Sequence, residues 1–111
     1  MNEKVVSIVE DLRARVTENA FDPTGKPFLA IQITLKDLDG CFYVELKDDK
    51  LSIEPAEYND RQANIIMTSD NFMKMINGNL KPLIALTTGK LKIEGDLSKA
   101  KALGDLFGKN K

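Results

Sequence analysis

Val5, Ile8, Val9, Leu12 and Val16 recur at offsets of three, four and seven residues, so they share one side of a helix whose other side takes Glu3, Lys4, Glu10, Asp11, Arg13 and Arg15. The spacing predicts an amphipathic helix that covers a core and ends near Ala20, ahead of Pro23 and Gly25. From Leu29 the period drops to two. Leu29, Ile31, Ile33 and Leu35 face one way and Gln32, Thr34 and Lys36 the other, which predicts a strand with a single buried face. Asp39-Gly40 reads as a tight hairpin turn that sets Leu35 opposite Val44 and Ile33 opposite Leu46. A second turn at Asp48-Asp49 pairs Leu46 with Leu51 and Val44 with Ile53, so three antiparallel strands form a meander with one oily side that stops at Pro55.

Beyond a polar connection containing Glu57, Asn59, Asp60, Arg61 and Gln62, Ala63 to Thr68 reads as a fourth strand with Ala63, Ile65 and Met67 on one face. Ser69 is the expected cap of a helix whose stripe is Phe72, Met73 and Ile76 and whose stop is Asn77-Gly78. A second short helix begins at Pro82, carries Leu83, Ile84 and Leu86, and closes at Gly89. Lys90 to Glu94 follows as a fifth strand with Leu91 and Ile93 inward, and Gly95 breaks it. Asp96 or Ser98 then caps a last helix with Ala100, Leu103, Leu106 and Phe107 on its apolar face. No repeat, low-complexity tract or linker interrupts this order of α, three β, β, two short α, β and α, and 111 residues suit one core, so a single domain over 1–111 is expected.

Composition narrows the class. The longest uninterrupted apolar runs, such as Leu83 to Leu86, are far too short to span a bilayer, and the charged start at Glu3 and Lys4 does not resemble a signal peptide. Cys41, the one cysteine, has no internal partner for a disulfide and sits beside Phe42 in an apolar strand, which suggests a structural thiol in a reducing cytoplasm. The net charge of -1 hides an uneven distribution: residues 1–73 hold 8 Lys and Arg against 14 Asp and Glu, and residues 74–111 hold 8 Lys against Glu94, Asp96 and Asp105. A basic C-terminal third fits an anionic lipid surface or a phosphate-bearing ligand. The favoured alternative is that these dispersed lysines are the solvated faces of their elements. With Phe107 the only aromatic there and Phe72 just ahead of it, the interleaving expected for nucleic acid is missing, and no DNA or RNA partner is expected.

Reactive groups are scarce. With no histidine, neither a Ser-His nor a Cys-His arrangement is available, and metal sites built on histidine are excluded. Asp37, Asp39, Asp48 and Asp49 fall at hairpin turns, where aspartate serves the backbone, so neither a metal nor a cofactor is expected. Gly89-Lys90 lacks the partners of a phosphate loop, because Ile84 and Leu91 stand where glycine and a hydroxyl residue belong. Met67, Met73 and Met75 lie close together beside Phe72 and Ile76. They suit an adjustable pocket, although ordinary core is the favoured reading. The residues alone lead to a sheet with one covered face, no catalytic constellation, and room for an apolar ligand.

The series Gly78, Pro82, Ala85, Gly89, Lys90, Leu91, Ile93 and Gly95 resembles the sterol carrier protein type 2 family, in which G-x-x-x-P-x-x-A-x-x-x-G-K-L-x-I-x-G leads into the final helix. The opening helix, the Asp39-Gly40 hairpin and the strand from Ala63 extend the likeness over most of the chain. The resemblance implies an α+β fold, a five-stranded, largely antiparallel sheet with helices over one face, and a hydrophobic tunnel between them for a fatty acid, fatty acyl-CoA, sterol-like lipid or phospholipid. Transferred position by position, it lines that tunnel with Phe72, Met73, Ile76, Leu80, Leu83, Ile84 and Leu86, sets Leu91 and Ile93 in its floor, and closes it with Leu103, Leu106 and Phe107. For each position, lining and plain packing are both open. The ending Gly108-Lys109-Asn110-Lys111 differs from the peroxisomal tripeptide of the eukaryotic carriers, and no thiolase or dehydrogenase is fused, so the likeness is to a stand-alone cytoplasmic member of prokaryotic type.

The expected function is non-enzymatic: shielding an apolar lipid for transfer or presentation, with transient contact to an anionic membrane surface or a partner enzyme. The alternative is an accessory module of the same fold in quinone or lipid biosynthesis, whose groove docks a partner helix or a second copy as a homodimer. An enzyme built on Tyr58, Arg61 and carboxylates is the least favoured reading.

Overall fold

The computed structural model describes residues 2–18, 20–99 and 102. Its elements are α1 (Glu3–Glu18), β1 (Leu29–Leu35), β2 (Gly40–Lys47), β3 (Lys50–Glu54), β4 (Ala63–Met67), α2 (Ser69–Ile76), α3 (Pro82–Thr87) and β5 (Lys92–Gly95). The strands form one sheet in the order β3-β2-β1-β4-β5, with β1 and β4 parallel and the other pairs antiparallel. The α+β architecture and element order expected from the pattern are therefore present through β5. Residues 97–99 and 102 are helical, with Asp96 Oδ1 accepting from Ser98 N and Oγ, and the other positions expected in a last helix, Ala100, Leu103, Leu106 and Phe107, lie outside the described residues.

One core joins the helices to one face of the sheet. Val5, Val9 and Leu12 of α1 are buried against Phe42, Val44 and Ile53, and Phe72 of α2 packs edge-on against Phe42 with ring centroids 5.6 Å apart. Offset or edge-on aromatic pairs of this kind add to plain burial. Asn2 caps α1 by accepting from Lys4 N at 2.9 Å, and Arg13 reaches over the sheet edge to donate to the Ile53 carbonyl from Nε and Nη2. A guanidinium on the carbonyls of edge strand β3 blunts the tendency of a bare edge to recruit another strand.

The first hairpin differs from its expected register. Ile33 lies opposite Phe42 and Leu35 opposite Gly40, because the turn consumes residues 36–39 and not only Asp39-Gly40. Leu38 N donates to the Leu35 carbonyl at 3.0 Å, and Asp39 takes a left-handed φ of 51°. The slip is four residues along β2, an even number, so each side chain stays on its expected face. A Cβ on Gly40 would stand 2.8 Å from Val5 Cγ2, which explains glycine where α1 crosses the hairpin. The second hairpin pairs Leu46 with Leu51 and Val44 with Ile53, as the pattern indicates.

β1 is buried on both faces, contrary to the single buried face its alternation suggests. The connection 55–62 crosses the outer face on its way from β3 to β4: Tyr58 N donates to Gln32 Oε1 at 3.0 Å, and Gln62 exchanges hydrogen bonds with Ala30 through Gln62 N to the Ala30 carbonyl and Ala30 N to Gln62 Oε1. Gln32 and Asn64 are buried there, with every buried side-chain polar atom among the described residues satisfied. At the other edge, β5 starts two residues later than expected, and Gly95 pairs with Ala63 inside the strand. Its φ of +96° and the Gln62 carbonyl, 2.6 Å from where a Cβ would lie, both require glycine. No helix among the described residues is long and apolar enough to cross a membrane.

Candidate functional site

α2 is clamped at both ends. Thr68, not Ser69, is its N-cap, accepting from Asn71 N at 3.3 Å. Ser69 is instead engaged by Asp37 of the hairpin turn, whose carboxylate accepts from Ser69 N at 2.7 Å and Oγ at 2.6 Å. Those two hydrogen bonds, the side-chain one foremost, hold the Asp37 carboxyl below the usual carboxylate range. At the far end, Arg15 Nη2 of α1 donates to Asn77 Oδ1 at 2.6 Å. The clamp turns Phe72 and Ile76 fully into the core and leaves Met73 and Met75 half-buried on its flank, while Met67 is core outright.

α3 is attached differently. Pro82 opens it, its N-cap Lys81 makes no side-chain hydrogen bond, and Ala85 is its one buried residue. The chain turns back at Gly89, and Lys90 N and Leu91 N both donate to the Ala85 carbonyl at 2.8 and 3.0 Å. This return buries Leu91 under the helix and leads into β5, where Ile93 is half-buried.

The residues expected to line a cavity thus separate by depth. Phe72, Ile76 and Leu91 are buried; Met73, Leu80, Leu86 and Ile93 are half-buried and packed against the core; Leu83 and Ile84 are exposed. Leu103, Leu106 and Phe107 lie outside the described residues. The half-buried four come from α2 (Met73), the turn before α3 (Leu80), α3 (Leu86) and β5 (Ile93), and each packs against the one core.

Two open depressions flank α1. One, of about 380 Å³, has Met73, Ile8 and Leu38 in its wall together with Lys4 and Asp70. The other, of about 450 Å³, lies between Val5, Cys41, Pro55 and Ala56, with Asn2 and Glu57 also in its wall. Met73 is the expected lining residue that borders one of them. The second depression carried no sequence signal, because it is assembled from the N-terminus, the hairpin turn and the start of the β3–β4 connection.

Side-chain chemistry on the outer face is muted. Tyr58 Oη donates to Glu45 Oε2 at 2.6 Å, and that hydrogen bond pushes the phenol up to about 12. The ring also packs edge-on against Tyr43 at 5.1 Å. A phenol held this firmly protonated is a structural donor at neutral pH and is poorly matched to general acid–base work. Arg61 Nη1 is spent on the Tyr58 carbonyl, and burial pushes the Cys41 thiol up, away from the reactive thiolate. No group of three or more potential metal ligands occurs among the described residues.

This arrangement defines a class: a small α+β domain with a deep apolar interior, half-buried apolar side chains around it on α2, α3 and β5, and polar side chains committed to structure. The chain belongs to the SCP-2 sterol transfer family, whose model matches residues 10–108. It is 35% identical to hydroxysteroid dehydrogenase-like protein 2 of Bos taurus over 103 residues, which is 89% of this chain and 24% of that protein. The human protein of the same name is 39% identical over 70 residues, 61% of this chain and 16% of that one. The chain therefore spans about a quarter or less of the curated relatives it matches. Among solved structures, sterol carrier protein-2 like-3 of Aedes aegypti superposes with a TM-score of 0.69 at 17% identity, covering 94% of this chain and 96% of that one. The solution structure of palmitated SCP2L2 of Aedes aegypti gives 0.63 at 21% identity, over 99% of this chain and 97% of that one. These two likenesses concern the fold.

Proposed function

We propose that the chain is a non-catalytic cytoplasmic carrier that takes the hydrocarbon tail of one lipid, a fatty acid or a fatty acyl ester, against the rim formed by Met73, Leu80, Leu86 and Ile93, with Phe72, Ile76 and Leu91 beneath. The observation that carries this reading is this set of half-buried aliphatic side chains, on α2, α3, the turn before α3 and β5, packed against the core of a chain of a lipid-transfer family. Met73 suits a tail of variable contour because its thioether repacks at little cost. A palmitated fold neighbour supports a fatty acyl chain over a bulkier ring system. Leu103, Leu106 and Phe107 are proposed to close over the bound tail, with Lys81 or Lys90 near its headgroup.

Burial supplies the affinity. A tail of about sixteen carbons gains on the order of 13 kcal/mol at roughly 0.8 kcal/mol per methylene. Lost translational freedom and ordering offset about 4 to 15 kcal/mol of this. At the low end of that cost the remainder, about 9 kcal/mol, corresponds to micromolar binding or slightly better for a long tail, and a short tail binds negligibly. Native mass spectrometry of gently purified protein, followed by titration with saturated fatty acids of increasing length, tests the reading. A copurifying lipid mass and an affinity that rises about fourfold per added methylene are expected. Absence of any bound mass together with length-independent binding refutes it. A lipid-indifferent obligate dimer in light scattering would instead favour the accessory-module reading.

A further inference from the structure

Leu83, 70% exposed, is the most exposed large apolar side chain among the described residues, and Ile84 beside it is 51% exposed. Adjacent helical positions lie about 100° apart, so with Ala85 turned inward α3 presents both aliphatic chains to solvent. The two hydroxyls at the C-terminal end of this helix are already paired. Thr87 Oγ1 and Thr88 Oγ1 donate to the Ile84 carbonyl at 3.1 and 2.7 Å, and Thr88 N donates to the same oxygen at 3.0 Å. Such pairing suits a medium that offers no hydrogen bonds.

Charge identifies the medium. Between Asp70 and Glu94 the chain has no acidic residue and four lysines, Lys74, Lys81, Lys90 and Lys92. Lys81 stands at the start of α3, and the return at Gly89 brings Lys90 back beside the helix through its 2.8 Å hydrogen bond to the Ala85 carbonyl; both are exposed. An exposed aliphatic pair bracketed by cations, in an acid-free stretch of an otherwise acidic chain, complements hydrocarbon beneath an anionic surface. We propose that the α3 face, Leu83 and Ile84 between Lys81 and Lys90, docks on an anionic phospholipid bilayer. The two aliphatic chains enter the headgroup boundary and the ammonium groups meet lipid phosphates and carboxylates.

This proposal goes beyond the carrier reading and stands apart from it, since fatty-acid titration without vesicles tests that reading alone. The test is flotation of the full chain with phosphatidylcholine vesicles, with and without phosphatidylserine. Binding is expected only with phosphatidylserine and is expected to weaken as salt is raised. Each lysine near an anionic surface is worth about fivefold, so Lys81→Gln with Lys90→Gln is expected to weaken binding on the order of tenfold or more. Leu83→Ser with Ile84→Ser is expected to weaken it at least as much, with circular dichroism and the thermal midpoint retained. Equal binding to both vesicle types, no binding by the parent chain, or undiminished binding by either double variant overturns the proposal. So does a lowered thermal midpoint or a changed mass in light scattering for the Leu83 and Ile84 variant, which would mean that residues 103–111 or a second copy already covers this face.

Discussion

α1 and α3 sit on the same sheet and are held to it in opposite ways. α1 inserts Val5, Val9 and Leu12 completely, is capped by Asn2, and sends Arg13 to β3 and Arg15 to α2. α3 inserts Ala85 alone and depends on backbone hydrogen bonds from the chain that follows it. A helix fixed by large buried side chains cannot move without opening a cavity, whereas one fixed by a methyl group and a carbonyl gives up little when it shifts. The attachment of α1 is that of a structural clamp, and that of α3 suits a surface meant to meet something else.

The largest effect should therefore come from loosening the clamp. Leu12 is fully buried beneath α1, and Leu12→Ala is expected to lower unfolding free energy by about 2 to 5 kcal/mol. Urea unfolding checks this, with the slope unchanged and the midpoint shifted. A cost below about 1 kcal/mol would mean that α1 also yields easily and would erase the contrast with α3.

The connection 55–62 offers a third mode of attachment, by hydrogen bonds, and predicts a smaller effect with a pH signature. Folded Tyr58 keeps its proton up to about 12 because it donates to Glu45. An unfolded tyrosine releases its proton near pH 10, so the contribution of the pair is complete below about pH 10 and is lost as pH climbs toward about 12. Tyr58→Phe is expected to cost about 1 kcal/mol at neutral pH and to flatten the fall in stability between those limits. An unchanged alkaline profile in the variant would show that the 2.6 Å contact contributes nothing in solution.

The same three attachments explain what could be read before any coordinates. The stripe on α1 was legible because sixteen residues span several helical turns and repeat the pattern often enough to settle which side is buried. The faces of the meander were legible too, but the first register was not. Ile33 can meet Leu46 or Phe42 with equal hydrophobic logic, and the choice fell to the longer turn and to the crowding of Val5 against Gly40. The polar cover over Gln32 depends on Tyr58 and Gln62, about thirty residues away, and no local period encodes such a pairing. Between Thr68 and Ser69, equally suited caps, the decision was made by Asp37 from another hairpin. Site residues were legible as an apolar set but not by depth: Leu83, Ile84, Ala85 and Leu86 are consecutive and apolar, and in a helix of six residues no repeat says which of them turns inward.

The smallest effect is the most discriminating. Leu83 is 70% exposed, so Leu83→Ala removes little buried area, and alanine's better helix propensity offsets part of even that loss. Unfolding free energy is expected to stay within about 0.5 kcal/mol of the parent chain in the absence of lipid. If the loss instead approached that of Leu12→Ala, Leu83 would have a covering partner and α3 would be anchored as α1 is. Repeating the measurement with saturating fatty acid adds a second axis, because a ligand that binds only the folded chain raises its stability according to its affinity. A ligand-induced gain that is equal in both chains places Leu83 outside the tail's contacts and leaves it to the bilayer. A gain that shrinks in Leu83→Ala while the lipid-free stability holds would instead assign this side chain to the tail, and with it the outer end of the rim.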